Sequence, residues 1–241
     1  MLGVAGIVLL TVVAAPLVHA QTEDPLRVGA RAGPTFGFLS DTSVPFQGSG
    51  LDAATNVNPR LDFHVGGYVV VPLTDRLSVQ PELLFLQRGG HMSRPTAESF
   101  EVERYRLSYL QGAVLARRDI AVSGPLSVHL VGGVAGDLAL DGRLRRNRET
   151  ASIDVQNEVD LLQTNQLRRW DVSGIVGVGV GYPVGASSRA ALEIRYNRGF
   201  RSVFEPPPET DRPFPLTRPS SLRHDVITAS LSYTLPASSL F

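Results

Sequence analysis

Hydrophobic and polar residues alternate with a period of two along most of the chain that follows residue 20. In the seventh run of this kind, Leu192 and Ile194 point to one face of an extended strand and Glu193 points to the other. Two chemically different faces are typical of strands in a sheet that separates two environments. Eight such runs can be marked, of which the fourth is the least regular. They cover residues 26–39, 62–73, 77–88, 104–122, 126–140, 169–184, 190–200 and 224–235.

The connections between these runs alternate strictly between short and long. The short ones, at residues 74–76, 123–125 and 185–189, are rich in turn-forming residues. The long ones are polar and lie at residues 40–61, 89–103, 141–168 and 201–223. Bacterial outer-membrane barrels have short periplasmic turns, long external loops and an even number of strands. The sequence therefore predicts an all-β fold: an eight-stranded antiparallel up-and-down transmembrane β-barrel.

Closure of this barrel follows from the chemistry of the bilayer. Hydrocarbon offers no partner for a free backbone N–H or C=O group, so the last strand is expected to pair with the first. Eight strands enclose a bore that side chains can just fill. We therefore expect a lumen occupied by side chains rather than a general diffusion pore.

Residues 1–20 have the features of an export signal. An apolar run from Leu2 to Val18 is followed by His19, Ala20 and a polar segment. No Lys or Arg precedes the run, which departs from the usual pattern, and a signal anchor is the alternative. The run is short for a spanning helix, which needs about 20 residues. We predict cleavage after Ala20, a barrel domain at residues 21–241 and a location in the bacterial outer membrane.

Composition narrows the classes of function. The 241 residues suit one barrel domain, and a formal net charge of zero provides no overall attraction to nucleic acid. The chain has no cysteine, which excludes disulfides, thiolate catalysis and cysteine-bound zinc. We expect no cofactor and no metal.

Several segments carry a resemblance to a known family. They are residues 28–33, the hairpin at 69–85 with a proline on either side of its turn, residues 109–110 and the last run at 227–235. In these segments the chain resembles the PorT-like outer-membrane β-barrel proteins of Bacteroidetes-type bacteria. It departs from them at residues 111–113, where the family tends to place a proline, and after residue 235. The resemblance implies the fold and the outer-membrane location, no catalytic residues and, through some relatives, a link to protein secretion.

Charged residues recur on the polar face of the runs, which would line the lumen. A buried ion needs a partner, because an isolated charge in a low-dielectric interior is strongly unfavourable. We expect these residues to form an internal salt-bridge network that plugs the barrel. A narrow gated channel, in which the same pairs open, is the alternative. The predicted network consists of Arg27, Arg31, Glu82, Asp171, Glu193 and Arg195.

The external connections offer the main candidate binding surface. One is rich in proline, and another holds a basic stretch that is suited to the phosphates of lipopolysaccharide, although acidic residues in the same connection can balance its charge. The basic stretch consists of Arg143, Arg145, Arg146 and Arg148. We expect a monomer whose partners are outer-membrane lipid, lipopolysaccharide and the barrel-assembly machinery. Phe241 is a candidate assembly signal, although Pro236 interrupts the strand before it.

A lipid hydrolase is the minor alternative. His224 lies near Ser220 and Ser221 at the expected external end of the last run, but proximity in sequence alone does not define a nucleophile and its base. The histidines also lack the spacing and the carboxylate partners of a zinc site. We therefore expect a structural or surface-binding protein and no enzyme.

Overall fold

Nine β-strands account for almost all of the described chain. The computed structural model describes residues 26–40, 56–95, 99–120, 124–150, 153–163, 167–202 and 223–240. Within these ranges, no helix is long and apolar enough to cross a membrane. The strands are β1 (Arg27–Ser40), β2 (Asn56–Pro72), β3 (Leu77–Pro95), β4 (Ser99–Ile120), β5 (Ser127–Thr150), β6 (Ile153–Asp160), β7 (Trp170–Val184), β8 (Ser188–Gly199) and β9 (Arg223–Pro236).

Eight of these strands close into a barrel. Each pairs antiparallel with the next in the order β1-β2-β3-β4-β5-β7-β8-β9, and β9 returns to pair with β1. The closing ladder runs from Arg27 opposite Pro236 to Ser40 opposite Arg223. In a closed ring, backbone N–H and C=O groups find hydrogen-bond partners within the sheet, which a hydrocarbon environment requires. The predicted eight-stranded antiparallel barrel is confirmed, and β6 pairs with β5 outside the ring.

The two faces of the barrel wall have the chemistry that the alternation predicts. Outward positions carry exposed apolar side chains, such as Leu83, Val176 and Leu192. Inward positions between them carry buried polar or charged side chains, such as Glu82 and Glu193. An apolar surface of this extent is typical of the lipid-facing band of a membrane barrel.

The irregular fourth run forms a regular strand, β4. Its inward side chains Tyr105, Leu107, Tyr109 and Leu115 are all nearly inaccessible to solvent. Apolar residues therefore occupy both faces of β4, which is why the alternation is weak there. Leu115 packs with Ala113 of the same strand, Val131 and Ala135 of β5 and Ile175 of β7, and together they form an apolar side of the lumen.

Two of the four long connections are largely β-structure, which corrects the loop prediction for residues 89–103 and 141–168. β3 continues to Pro95 and β4 begins at Ser99, while β5 continues to Thr150 before β6 begins at Ile153. About 9 to 11 residues suffice to cross the membrane, and β5 alone has 24. These strands therefore project well beyond the bilayer. The other two long connections lie mainly at residues 41–55 and 203–222, outside the described residues.

Mostly polar residues on both faces explain why the sequence pattern missed the projecting ends of β3 and β5. Hydrophobic alternation detects a strand only where one face meets lipid or a core. Outside the bilayer, opposite charges occupy facing positions instead: Glu101 lies opposite Arg148, and Glu103 lies opposite Arg146. Facing positions of this kind favour strand pairing.

The tight turns lie at the end of the barrel opposite to the projecting strands. Between β2 and β3, the Leu73 amide donates to the Leu77 carbonyl at 2.8 Å, and Thr74 Oγ1 accepts from the Leu77 amide at 3.1 Å. Gly124 and Gly185 have φ values of 92° and 72°, a backbone conformation that favours glycine. Short turns mark the periplasmic end of such a barrel.

Aromatic side chains mark the edges of the outward apolar band. Trp170 and Phe200 are exposed at the external edge, where β7 begins and β8 ends. Tyr182 and Tyr233 are exposed near the periplasmic edge. Girdles of this kind lie at the two lipid–water interfaces. They locate the membrane relative to the side chains of the lumen.

Candidate functional site in the barrel interior

Two arginines and two glutamates meet in the periplasmic half of the lumen. Arg195 donates from Nη1 and Nη2 to the two carboxylate oxygens of Glu82, at 2.5 and 2.8 Å. Arg31 Nη1 donates to Glu193 Oε1 at 2.8 Å, and Arg31 Nη2 lies 3.4 Å from Glu82 Oε1. Arg195 Nε also donates to Glu193. Each carboxylate is therefore shared by both guanidinium groups, and the four buried charges balance.

Two further polar side chains complete this group. His129 Nε2 lies 2.8 Å from Glu193 Oε2, and Gln80 Nε2 donates to Glu82 Oε1 at 2.5 Å. Further hydrogen bonds to a buried ion pair offset part of the cost of removing it from water. The periplasmic cluster is defined as Arg31, Gln80, Glu82, His129, Glu193 and Arg195.

Glycines on neighbouring strands provide the space for large lumen side chains. A Cβ added to Gly179 would overlap the imidazole of His129, its direct neighbour on β5. A Cβ added to Gly29 would overlap the ring of Tyr68, its direct neighbour on β2. The Tyr68 ring in turn lies under the Arg31 guanidinium, 4.6 Å from its Cζ. Replacing either glycine with a larger residue would therefore displace a side chain that contacts the buried charges.

A second buried cluster lies in the external half of the lumen. Arg88 Nη2 is 3.0 Å from Asp137 Oδ2, and neither side chain is exposed. The Arg88 Cζ also lies 3.9 Å from the centre of the Tyr109 ring, a cation–π geometry. The Tyr109 hydroxyl is 3.3 Å from His224 Nε2, and Asp171 lies opposite Asp137 in the β5–β7 ladder. The external cluster is defined as Arg88, Tyr109, Asp137, Asp171 and His224.

The six residues of the predicted network are divided among three places. Four of them, Arg31, Glu82, Glu193 and Arg195, meet in the periplasmic cluster. Asp171 belongs to the external cluster instead. Arg27 lies at the periplasmic rim, where its Nη2 donates to the Ser187 carbonyl at 2.6 Å. The network is therefore not continuous, because the two clusters lie at different depths.

Three residues that carry the clusters were missed by sequence reasoning. Asp137 and His129 lie on the polar face of the fifth run, where alternation predicts lumen-facing positions, but the predicted network does not include them. Arg88 is the last residue of the third run, at an even spacing from Glu82 that places both on the same face. Extending the period of two past Leu84 and Leu86 would have found it.

A small cavity separates the two clusters. His64 lies beside it, with Nδ1 3.2 Å from Thr35 Oγ1 and Nε2 2.9 Å from Ser230 Oγ. Gln111 also lines the cavity, and its amide donates to Asp137 Oδ1 at 2.7 Å. The cavity lining mixes these polar groups with apolar side chains, among them Leu84 and Leu86. The lumen thus has a charged layer on each side of this small cavity.

The other candidate residues lie at the external end. Arg143 and Arg145 are exposed and contact Glu158, while the side chains of Arg146 and Arg148 lie outside the described residues. His224 is buried against Tyr109 rather than presented at the surface, and Ser220 and Ser221 are not among the described residues. Phe241 and residues 1–25 also lie outside them. No group of three His, Asp or Glu side chains within the described ranges is arranged to hold a metal ion.

Comparison with known proteins identifies the family. A family model described as the outer membrane protein beta-barrel domain matches residues 19–205. The chain belongs to this family. The family indicates a location in the bacterial outer membrane. The outward apolar band and the aromatic girdles indicate the same location. No curated protein matches the chain at a significant level.

Several solved barrels have a similar overall fold at low sequence identity. Neisserial surface protein A is 13% identical, with a TM-score of 0.43 over 88% of this chain and 96% of its own. OprG from Pseudomonas aeruginosa is 12% identical, with a TM-score of 0.44 over 90% and 99%. Ail, the attachment invasion locus protein of Yersinia pestis, is 8% identical, with a TM-score of 0.34 over 88% and 100%.

Proposed function

We propose that this protein is a non-conducting outer-membrane barrel with a structural or surface-binding role. The observation that carries the proposal is the pair of buried charge clusters, which fill the lumen at two depths. A barrel of eight strands has room for little more than its own side chains. The projecting strands then form the surface that is available to external ligands.

The ion pairs of the clusters favour the closed state. Opening the periplasmic cluster would separate Glu82 from Arg195, although each is almost fully buried. Breaking a buried pair leaves uncompensated charges, which is costly in a low-dielectric interior. Thermal motion that opens a continuous water path would have to break the Arg88–Asp137 pair as well.

Conductance across planar lipid bilayers tests this proposal. The wild-type barrel is expected to give no discrete current steps. A variant that removes one pair from each cluster, Glu82→Ala/Arg195→Ala/Arg88→Ala/Asp137→Ala, is expected to give steps and serves as the positive control. A heat-dependent shift on a cold gel verifies that both proteins are folded. Steps from the wild type, or a silent but folded quadruple variant, would contradict closure by these clusters.

A narrow gated channel is the second candidate function. The cavity between the clusters, which His64 and Gln111 line together with apolar residues, is the observation that favours it. In that case, wild-type conductance steps would change in size with Glu82→Gln or Arg195→Gln. The same recording therefore separates a plug from a conduit.

We infer a PorT-like relationship from the hairpin at residues 69–85, and that relationship makes a secretion-associated role a further alternative. Cleavage after Ala20 is supported by the pattern of residues 1–20. A monomeric state, recognition by the barrel-assembly machinery and the absence of enzymatic activity also remain predictions.

A further inference from the structure

Four arginines lie in two directly opposed pairs on β4 and β5, beyond the apolar band. The ladder places Arg104 opposite Arg145 and Arg106 opposite Arg143. All four side chains are exposed, whereas Tyr105 between the first two is buried on the inward face. The arginines therefore lie on the outer wall of the projecting sheet. These four residues are named the arginine ladder.

Among the side chains that the structure describes, the four arginines of the ladder outnumber the carboxylates beside them. Like charges that face each other across a ladder destabilise the pairing. Glu158 lies 3.7 Å from Arg143 Nη1 and 3.2 Å from Arg145 Nη2, and Asp141 lies 3.3 Å from Arg143 Nε. Asp160 lies opposite Arg143 in the β5–β6 ladder. These three carboxylates are on the β5–β6 side, away from the two arginines of β4. A bound anion would relieve the remaining repulsion and would therefore stabilise the folded state.

The arginine ladder lines one wall of a groove whose other wall comes from β2. Pro59, Arg60 and Leu61 form that second wall. Arg60 is held by Asp62, with its Nε 2.9 Å from Oδ1. Leu61 is 64% exposed. The groove thus places exposed apolar carbon beside several guanidinium groups.

The depth of the groove matches the external lipid head groups. On β5, the outward Leu140 belongs to the exposed apolar band. Arg143 follows three residues later, which is about 10 Å along a strand. On β2, Leu61 and Phe63 are exposed at the same boundary. Guanidinium groups at this level would meet anionic head groups of the outer leaflet.

We propose that the arginine ladder binds the phosphates of lipid A, the phosphorylated lipid of the bacterial outer leaflet. Guanidinium groups bind phosphate through paired hydrogen bonds, and Leu61 lies where an acyl chain would begin. Exposed apolar carbon beside the charges fits an amphiphile better than a soluble polyanion. The inference rests on the outer-membrane location and is independent of the closed lumen, so a conducting barrel would leave it intact.

Native mass spectrometry of the full chain in neutral detergent micelles tests this site. The probes are bisphosphorylated lipid A, dephosphorylated lipid A with the same acyl chains, and a soluble sugar bisphosphate. The test variant is Arg104→Gln/Arg145→Gln. The matched control is Arg118→Gln/Arg189→Gln, which removes two exposed arginines near the periplasmic end. A cold-gel shift verifies that each variant is folded.

Wild type and control are expected to bind bisphosphorylated lipid A at least about tenfold more tightly than the ladder variant does, because hydrogen bonds to charged groups are lost. Removing the lipid phosphates should weaken wild-type binding to a similar extent. Equal binding of the two lipid A forms would overturn the proposal. The proposal would also be overturned if the control variant lost as much lipid A binding as the ladder variant, or if the soluble sugar bisphosphate bound the wild type as tightly as lipid A does.

Discussion

Removing one charge from the periplasmic cluster tests the buried network directly. In Glu82→Gln the side chain keeps its shape, but Arg31 and Arg195 must then share the single carboxylate of Glu193. The Glu82 side chain is fully buried and accepts two hydrogen bonds from Arg195. The amide supplies one acceptor and introduces N–H groups that face the guanidinium donors. The substitution therefore leaves an unbalanced positive charge inside the barrel.

The size of the effect follows from this burial. Breaking a buried ion pair by removing one partner costs about 3 to 5 kcal/mol. Arg195→Gln leaves the opposite imbalance, with a cost in the same range. In the double variant, Arg31 and Glu193 remain as a balanced pair, 2.8 Å apart. We therefore expect the double variant to lose less stability than the two single variants lose together, with a difference of about 0.5 to 3 kcal/mol.

Urea titration in lipid vesicles measures these free energies of unfolding. Trp170 is the one tryptophan of the chain and lies at the lipid interface, so its fluorescence reports loss of the inserted barrel. Glu158→Gln is the matched control, because its side chain is 46% exposed and surface pairs contribute at most about 1 kcal/mol. The shared network would be refuted if the stability losses of the two single variants simply added in the double variant. It would also be refuted if Glu82→Gln were as stable as Glu158→Gln.

Three further predictions concern other parts of the chain. Gly179→Leu is expected to reduce the folded, heat-modifiable fraction on a cold gel, because the new side chain would overlap His129. Gly112→Leu is the control and should leave that fraction unchanged, because nothing lies within 4 Å of a Cβ added there. Equal effects of the two substitutions would contradict the steric argument. Leu161, just after β6, is fully buried in an apolar cluster with Leu107 and Leu144. Leu161→Ala should cost about 2 to 5 kcal/mol, so proteolysis of the external strands should accelerate while the barrel remains heat-modifiable. An unchanged rate would count against that packing. The intact mass of protein from outer membranes should correspond to a chain that begins at Gln21, and a mass that includes residues 1–20 would exclude the predicted cleavage.

The barrel itself could be predicted because lipid imposes a simple pattern. Where one face of a strand meets hydrocarbon and the other meets a polar lumen, residues must alternate, as in Leu192, Glu193 and Ile194. Where that contrast is absent, the pattern weakens. β4 has apolar residues on both faces, including the buried Leu115, and the projecting end of β5, apart from the buried Leu144, has polar residues on both. For β4 the alternation therefore predicts no clear faces, and for the projecting end of β5 it predicts a loop.

The candidate site was predictable only in part for a related reason. Alternation identifies which residues face the lumen, and it placed Arg31, Glu82, Glu193 and Arg195 there. It contains no information about depth, which depends on how the strands are staggered around the ring. For that reason Asp171, at the external end of β7, was grouped with residues that lie in the periplasmic half.

The amino-acid sequence by itself determined the number of membrane-crossing strands, their inward and outward faces and the periplasmic position of the tight turns, because each of these depends on local alternation or turn chemistry. The tertiary structure decided which charges meet. Pairing of Arg31 with Glu193 depends on how β1 and β8, which are distant in sequence, are staggered around the closed ring. The position of Arg104 opposite Arg145 depends on a register shift between Ser108 and Tyr109 in the β4–β5 ladder. Register is a property of the closed ring, and one-dimensional spacing does not contain it.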